Sequence, residues 1–166
     1  QGGSAITMEP WLDDAAAVLH AWYPGSRGGE ALADLLFGIA NPSGRLPISI
    51  PVTEEDLPPF DNEAQTVFYD RWHGHRHLLR TGVAARFPFG FGLSYTQFEW
   101  ADAAMDGLSF EVTVRNTGAR SGIETVQIYA EPPAGDRGRE LVGWGQILLD
   151  AGTEARLSID VPRSRL

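Results

Sequence analysis

From residue 95 to the end of the chain, apolar and polar side chains alternate in short runs. Leu108–Arg115, Thr125–Ala130 and Leu157–Val161 each place an apolar residue at every second position. A period of two is typical of a strand that buries one face. The turns between these runs indicate a β-sandwich of the immunoglobulin or fibronectin type, for which about seven strands are expected. Since only about four or five are visible, the pattern predicts an incomplete β-sandwich over residues 95–166.

The first 51 residues have a mixed pattern. Ser26–Phe37 carries leucines at positions i, i+3 and i+4, which predicts a helix with one apolar face. Ala5–Met8 and Ile48–Ile50 are short apolar segments that suit strands. Ala15–Tyr23 is a longer apolar run that suits a buried strand, although its periodicity also allows a helical turn. Strand, helix, turn and strand in this order predict part of an α/β sandwich domain.

Residues 52–94 are punctuated by prolines and glycines and predict a long, mostly irregular connector between the two regions. Within it, Val67–Leu79 is the segment best suited to a strand. The sequence therefore predicts an α/β part at 1–51, a connector at 52–94 and a β-sandwich at 95–166. Inside the β-sandwich, residues 131–139 are predicted to form a polar loop.

Composition narrows the classes of function. The 166 residues include 22 acidic and 13 basic side chains, so the formal net charge is −9. A nucleic-acid-binding protein would normally show a basic stripe, and we expect no nucleic-acid partner. The sequence contains no cysteine, which excludes disulfides and thiolate metal sites. An apolar run of about 18 residues, as a membrane span requires, is also lacking, so we expect no membrane partner.

Several motifs together resemble one enzyme family. They are WYPGSRGGEALADLLFGIANPSGRLPISIP, the HGHR of FYDRWHGHRHL, FPFGFGLSYTQFEW, VRNTG with the following ETVQIY, and RELVGWGQILLDAG. In this order they resemble the end of the α/β sandwich domain and the fibronectin-type domain of family 3 glycoside hydrolases, the β-glucosidases, β-xylosidases and their relatives. The resemblance runs from about Ala5 to Val161. One departure is His75, which stands where the family usually has a tyrosine.

The resemblance implies a retaining hydrolysis of β-linked glucosides or related glycosides by two carboxyl groups. In the family, the nucleophile is an aspartate of an N-terminal barrel, and the acid/base is usually a glutamate in the first half of the α/β domain. Both regions would precede Gln1, so no catalytic residue is expected here. We expect the chain to be the C-terminal part of such an enzyme, cut short at both ends and packed in its parent against a barrel that it lacks. A non-catalytic carbohydrate-binding or structural module is the alternative.

Tyr69, Trp72 and His73 are the candidates for contact with the sugar. An aromatic ring can bury the C–H groups of a pyranose face, and an imidazole can hydrogen-bond to hydroxyl groups. Structural roles are expected for Arg45, Arg76 and Phe89. Arg45 would brace a turn against the connector, Arg76 would hold the connector through an ion pair or carbonyl groups, and Phe89 would staple the two domains together.

Other polar clusters have simpler interpretations. His73, His75 and His77 would share one face of a strand and could offer imidazoles to a metal. Because no further ligand stands at a suitable spacing, we expect no metal and no cofactor. Glu54, Glu55 and Asp56 form the densest acidic cluster and are expected to lie in a solvated loop.

Overall fold

The computed structural model describes residues 2–131 and 138–165. Within these ranges strands predominate and helices are short, so the predicted mixture of a β-rich region and a few helices is confirmed at this level. The strands are β1 (Phe98–Asp106), β2 (Ser109–Asn116), β3 (Gly122–Ala130), β4 (Glu140–Leu149) and β5 (Glu154–Asp160). The α-helices are α1 (Gly28–Leu36) and α2 (His75–Thr81). Single 3-10 turns cover Leu12–Asp14, Glu54–Asp56 and Arg163–Arg165.

The strands of the described residues form two antiparallel sheets. One has the order β1-β2-β5, and the other pairs β3 with β4. The register sets Val112 opposite Leu157 and Val114 opposite Ala155. Val112, Val114, Val126, Leu149 and Ile159 form the buried cluster between the sheets.

β2 and β5 confirm the alternation in the sequence, whereas burial does not alternate along β3. β2 buries Val112 and Val114 and leaves Arg115 exposed, while β3 and β5 bury Val126 and Ile159. A period of two appears in β2 and β5 because each has one face on the core. β1 was not predicted, since nearly all of its side chains are exposed and its register shifts at a bulge between Ala101 and Ala104.

Several strand predictions for the amino-terminal region were wrong. Ala5–Met8, Ala15–Tyr23 and Ile48–Ile50 are not strands, and the described residues offer them only an isolated bridge between Ile50 and Phe87. A strand is stabilised by its pairing with a neighbour, and an apolar run cannot supply that neighbour. The predicted helix is confirmed, with ends trimmed from Ser26–Phe37 to Gly28–Leu36.

Residues 52–94 are largely irregular, as their prolines and glycines predict, but the strand prediction at Val67–Leu79 was wrong. The second half of that segment belongs to α2 instead. Leu78 is buried and anchors this short helix, and Gly82 ends it in the left-handed conformation. The apolar pattern of HRHLLRT was too short to separate a helical turn from a strand.

Contacts divide the chain into two compact units. The first comprises Gln1–Gly28, Leu46–Phe91 and Glu131–Arg139, and the second comprises Gly29–Arg45, Gly92–Ala130 and Glu140–Leu166. The second unit contains β1 to β5 and nearly all of α1. Of the predicted polar loop, residues 132–137 lie outside the described residues. No helix within the described ranges is long and apolar enough to cross a membrane.

Candidate functional site

The first compact unit contains an open groove of about 1010 Å³. Three segments line it: one near the amino terminus, one around the 3-10 turn Glu54–Asp56, and one just before α2. The lining residues are Ala5, Ile6, Thr7, Pro51, Glu54, Glu55, Leu57, Pro58, Pro59, Phe60, Tyr69, His73 and Gly74. The groove therefore combines two exposed aromatic rings with carboxylates and an imidazole.

Backbone pairing fixes the second segment. The Ile50 N–H donates to the Phe87 carbonyl at 2.8 Å, and the Arg86 N–H donates to the Ile50 carbonyl at 2.9 Å. Directly after this pair, the Thr53 N–H donates to Asp56 Oδ2 at 3.0 Å, which closes the first turn of the 3-10 segment. Glu54 and Glu55 are thereby held next to each other at the groove.

The amino-terminal segment is held near this pair by an ion pair. Arg86 Nε lies 3.2 Å from Glu9 Oε1, and both side chains are more than one third exposed. At that exposure an ion pair stabilises by at most about 1 kcal/mol, so it orients Glu9 more than it stabilises the unit.

Tyr69 and His73 are brought together by a turn that Asp70 organises. The Trp72 N–H donates to Asp70 Oδ1 at 2.7 Å, which is the hydrogen bond of an Asx-turn. His73 Nδ1 lies 2.5 Å from the Asp70 carbonyl oxygen. The rings of Tyr69 and His73 meet edge to face with centroids 6.5 Å apart. Two of the three predicted sugar-contact residues thus line one groove side by side.

Trp72 takes a different position. Its ring lies between two guanidinium groups, with Arg71 Cζ 4.6 Å and Arg80 Cζ 4.7 Å from the ring centroid. A Cβ atom at the buried Gly138 would come within 3.6 Å of the same ring. Cation–π contacts on an indole and close packing on a glycine are typical of an anchoring residue. The structure therefore packs Trp72 within the unit, while Tyr69 and His73 face the groove.

One carboxylate of the groove, that of Glu55, has hydrogen bonds that favour its ionised form. Hydrogen bonds from its own backbone N–H and from the Thr53 side chain lower the pKa of Glu55 below its usual value. Glu55 is therefore ionised at neutral pH, and its side chain acts as a hydrogen-bond acceptor only. Sequence reasoning had placed the carboxylates of the groove in a solvated loop and had not connected them with Tyr69 and His73, which no local pattern could reveal.

The three residues with expected structural roles lie in distinct places. Arg45 Nη2 lies 2.8 Å from Glu124 Oε2 of β3, and both side chains are largely buried. The Phe89 ring stacks on His75 at 4.6 Å, and its N–H donates to Ser49 Oγ at 3.0 Å. Arg76 is half-buried within α2.

The histidines do not form the shared face that a strand would give them. His75 and His77 belong to α2, where two positions correspond to a rotation of about 200°, and His73 precedes the helix. Over residues 2–131 and 138–165, no group of three histidine, aspartate or glutamate side chains is placed to hold a metal ion.

A family model and several curated proteins are similar to this chain, and they concern one enzyme family. Residues 1–95 match the family model described as the glycosyl hydrolase family 3 C-terminal domain. A probable β-glucosidase I of Aspergillus flavus is 37% identical over 184 residues, covering 98% of this chain and 22% of its own length. A probable β-glucosidase K of Emericella nidulans is 38% identical over 173 residues, with 98% and 21% covered.

Solved structures are similar over the same extent. The β-glucosidase 3B of Thermotoga neapolitana, in complex with α-D-glucose, superposes with a TM-score of 0.88 at 32% identity, covering 99% of this chain and 25% of that one. A β-glucosidase of Kluyveromyces marxianus, in complex with glucose, gives a TM-score of 0.87 at 34% identity, with 99% and 21% covered. The chain spans about a fifth of the length of the curated relatives it matches.

Proposed function

Because the chain belongs to glycosyl hydrolase family 3, we propose that it serves as the C-terminal part of a retaining β-glucosidase-like enzyme that hydrolyses β-linked glucosides. Its relatives are named as probable β-glucosidases, and each match covers 98% of this chain and 22% or 21% of the relative. In finer detail, residues 1–51 are the end of an α/β sandwich domain, residues 95–166 form a fibronectin-type β-sandwich, and residues 52–94 connect the two. The groove of the first unit carries the contribution of this chain to sugar binding.

The observation that carries the proposal is the placement of Tyr69 and His73 along one groove. The Tyr69 side chain is 53% exposed, so its ring is accessible to a ligand. A pyranose places C–H groups on its face and hydroxyl groups at its edge, and a phenol ring beside an imidazole matches both. Two solved relatives carry glucose, which supports a sugar as the ligand of this family member.

The groove does not supply the two catalytic acids. A retaining glycosidase sets two carboxyl groups roughly 5–5.5 Å apart on opposite sides of the glycosidic bond. Among the described residues that line the groove, the carboxylates are Glu54 and Glu55, which are neighbours on one 3-10 turn. Neighbours on one turn cannot face each other across a bond. A general acid also needs a raised pKa, whereas that of Glu55 is lowered.

The partner that we propose for this chain is the remainder of the enzyme, including a barrel with the nucleophile. Leu36, Phe37 and Ile39 at the end of α1 are each more than 70% exposed. Clustered exposed apolar side chains of this size mark surfaces that another protein surface covers. These side chains support the proposal because nothing within the described residues buries them.

A glucose titration of the 166-residue chain, followed by amide NMR, tests the sugar site. Glucose should shift the amide signals of Tyr69, His73 and Gly74, and Tyr69→Ala should weaken binding about tenfold, because the apolar platform of about 1.4 kcal/mol is lost. Phe37→Ala, which removes an exposed aromatic ring from the other unit, is the matched control and should leave binding unchanged. Shifts confined to other residues, or equal loss in both variants, would contradict the proposal.

The alternative is a non-catalytic carbohydrate-binding or structural module. Such a module needs no opposed carboxylates, and the groove's Glu54 and Glu55 are neighbours on one turn. Assays of the natural protein that contains residues 1–166 distinguish the enzyme from the module. Hydrolysis of 4-nitrophenyl β-D-glucoside by that protein, with a raised KM in Tyr69→Ala, supports the enzyme. Glucose binding without any hydrolysis supports the module.

A further inference from the structure

Asp70 makes two contacts that meet at the edge of the groove. Its side-chain Oδ1 accepts the Trp72 N–H at 2.7 Å, and its main-chain carbonyl oxygen contacts His73 Nδ1 at 2.5 Å. One residue thus reverses the chain with its side chain and holds the imidazole with its backbone. Trp72, packed between Arg71 and Arg80, keeps the far side of the turn in place.

The second contact determines where the imidazole carries its hydrogen. A carbonyl oxygen can only accept a hydrogen bond, so the hydrogen between these atoms belongs to His73 Nδ1. In a neutral imidazole the other nitrogen, Nε2, is then an acceptor with a free lone pair. His73 is exposed and lines the groove, so this acceptor is available to a ligand.

We propose that Asp70 is a positioning residue, whose turn holds His73 as the Nδ1–H tautomer so that Nε2 accepts a hydrogen bond from a hydroxyl group of the sugar. The second half of this statement rests on the proposed sugar site, and the first half does not. An Asx-turn needs an oxygen at this side-chain position, which an alanine lacks and an asparagine retains.

The proposal has a consequence for ligand recognition. His73 Nε2 and the carboxylate of Glu55 are acceptors that line the same groove, so the groove favours ligands that donate hydrogen bonds. A site that pairs with a hydroxyl discriminates strongly against an analogue in which that hydroxyl is missing, because a polar group of the site is left unpaired. Fluorine replaces a hydroxyl in size but cannot donate.

The first experiment reads the tautomer directly by ¹⁵N NMR of the imidazole nitrogens, with His73→Gln used to assign the signals. The parent chain should show the Nδ1–H form of His73. Asp70→Asn keeps the side-chain oxygen and should keep this form, whereas Asp70→Ala should give a mixture of tautomers. The amide signals of Ile50 and Leu78, which are buried in the same compact unit as the turn, serve as the check that each variant is folded. An unchanged tautomer in a folded Asp70→Ala chain would overturn the proposal.

The second experiment measures binding of methyl β-D-glucoside and of its four monofluorinated analogues, each lacking one hydroxyl, to the same three chains. In the parent and in Asp70→Asn, one analogue should bind about tenfold more weakly than the glucoside. In Asp70→Ala that difference should shrink to less than threefold. A tenfold difference that persists in Asp70→Ala would overturn the role of Asp70 in recognition. A parent that shows the Nδ1–H form but binds no glucoside would overturn the proposed sugar site, while the tautomer measurement still decides the positioning role.

Discussion

Asn116 is a buried amide whose hydrogen-bonding capacity is fully used. Its Oδ1 accepts from Thr96 Oγ1 at 2.7 Å and from the Gly118 N–H at 3.1 Å. Its Nδ2 donates to the carbonyl oxygens of Arg120 at 2.7 Å and Leu149 at 3.0 Å. Because both amide protons end on carbonyl groups, the orientation of the amide is determined. The side chain joins the end of β2 to the end of β4.

Replacing Asn116 by alanine should therefore destabilise the chain by about 3 kcal/mol, since buried donors and acceptors lose their partners. Urea unfolding followed by circular dichroism measures the change. Asn62→Ala is the matched control, because Asn62 is exposed, and it should change stability by less than about 0.5 kcal/mol. Equal effects of the two substitutions would show that the network contributes nothing.

His20 is predicted to make stability depend on pH. Its ring stacks edge to face on Trp22 at 4.1 Å, and in the described part of the chain its buried Nε2 has no hydrogen-bond partner. Burial lowers the pKa of His20 below its usual value of 6.5. The folded state then binds fewer protons than the unfolded state, so this stabilisation is complete above pH 6.5 and is lost as the pH falls through the folded pKa.

Thermal unfolding between pH 7.5 and pH 5 tests this sign. His20→Phe keeps an aromatic ring on Trp22 but does not titrate, so its melting temperature should fall less on acidification than that of the parent. A parallel decline in both proteins would contradict the assignment to His20.

At the scale of single residues, the sequence showed which side chains could bind a sugar but not which residues each side chain contacts. The FYDRWHGHRHL motif pointed to Tyr69 and His73, which do line one groove. It could not show that Trp72, between them in sequence, packs between two arginines, because Arg80 reaches it from the far end of α2. In the same way, no local pattern shows that the Asn116 side chain bonds to the Leu149 carbonyl, because Leu149 lies 33 positions away.

Secondary-structure elements were predictable where one face meets a core. β2 and β5 have a period of two because burial alternates along them, whereas β3 buries three consecutive residues, Glu124, Thr125 and Val126. The same reasoning failed at Ala15–Tyr23, where Val18 and Leu19 remain about 42% and 41% exposed. Apolar composition there is compatible with a strand, but pairing depends on a neighbour that the local sequence does not specify.

The start of α2 depends on the backbone conformation of Gly74, with φ 57° and ψ −133°. These backbone angles are strained for any residue with a Cβ. The space around the position is open, because a Cβ there would meet no atom within 4 Å. Gly74→Ala should therefore destabilise the chain by about 1–2 kcal/mol through backbone strain alone.

Gly29→Ala is the matched control, since Gly29 is exposed in the first turn of α1 and its Cβ would also meet nothing. There alanine should stabilise by up to about 1 kcal/mol. Urea unfolding of both variants measures the two signs, and a stabilising Gly74→Ala would contradict the strain.

At the scale of the whole molecule, the units defined by contacts differ from the segments defined by position in the sequence. The segment after α1 is joined to β3 by the ion pair of Arg45 with Glu124, and Asn41 accepts from the Tyr95 N–H at 2.8 Å. Contacts accordingly place residues 29–45 with the strands, whereas the sequence was divided at residue 51 because composition changes there. The domain boundaries predicted from the sequence therefore stay a prediction. Family membership was recognisable because it depends on the order of motifs, which needs no knowledge of tertiary contacts.

The last prediction concerns catalysis by the chain alone. Breaking a glycosidic bond with retention needs a nucleophilic carboxylate and a carboxylic acid facing each other, and the groove offers Glu54 and Glu55 on a single turn. The isolated 166-residue chain should therefore release no 4-nitrophenol from 4-nitrophenyl β-D-glucoside above the background set by its own triple variant, Tyr69→Ala, Trp72→Ala and His73→Ala. Glucose binding in the parent and its loss in the triple variant would show that the comparison is made at an intact site. Turnover that the triple variant abolishes would mean that carboxylates of this chain perform the reaction. The proposal that another part of the protein supplies both catalytic carboxylates would then be wrong.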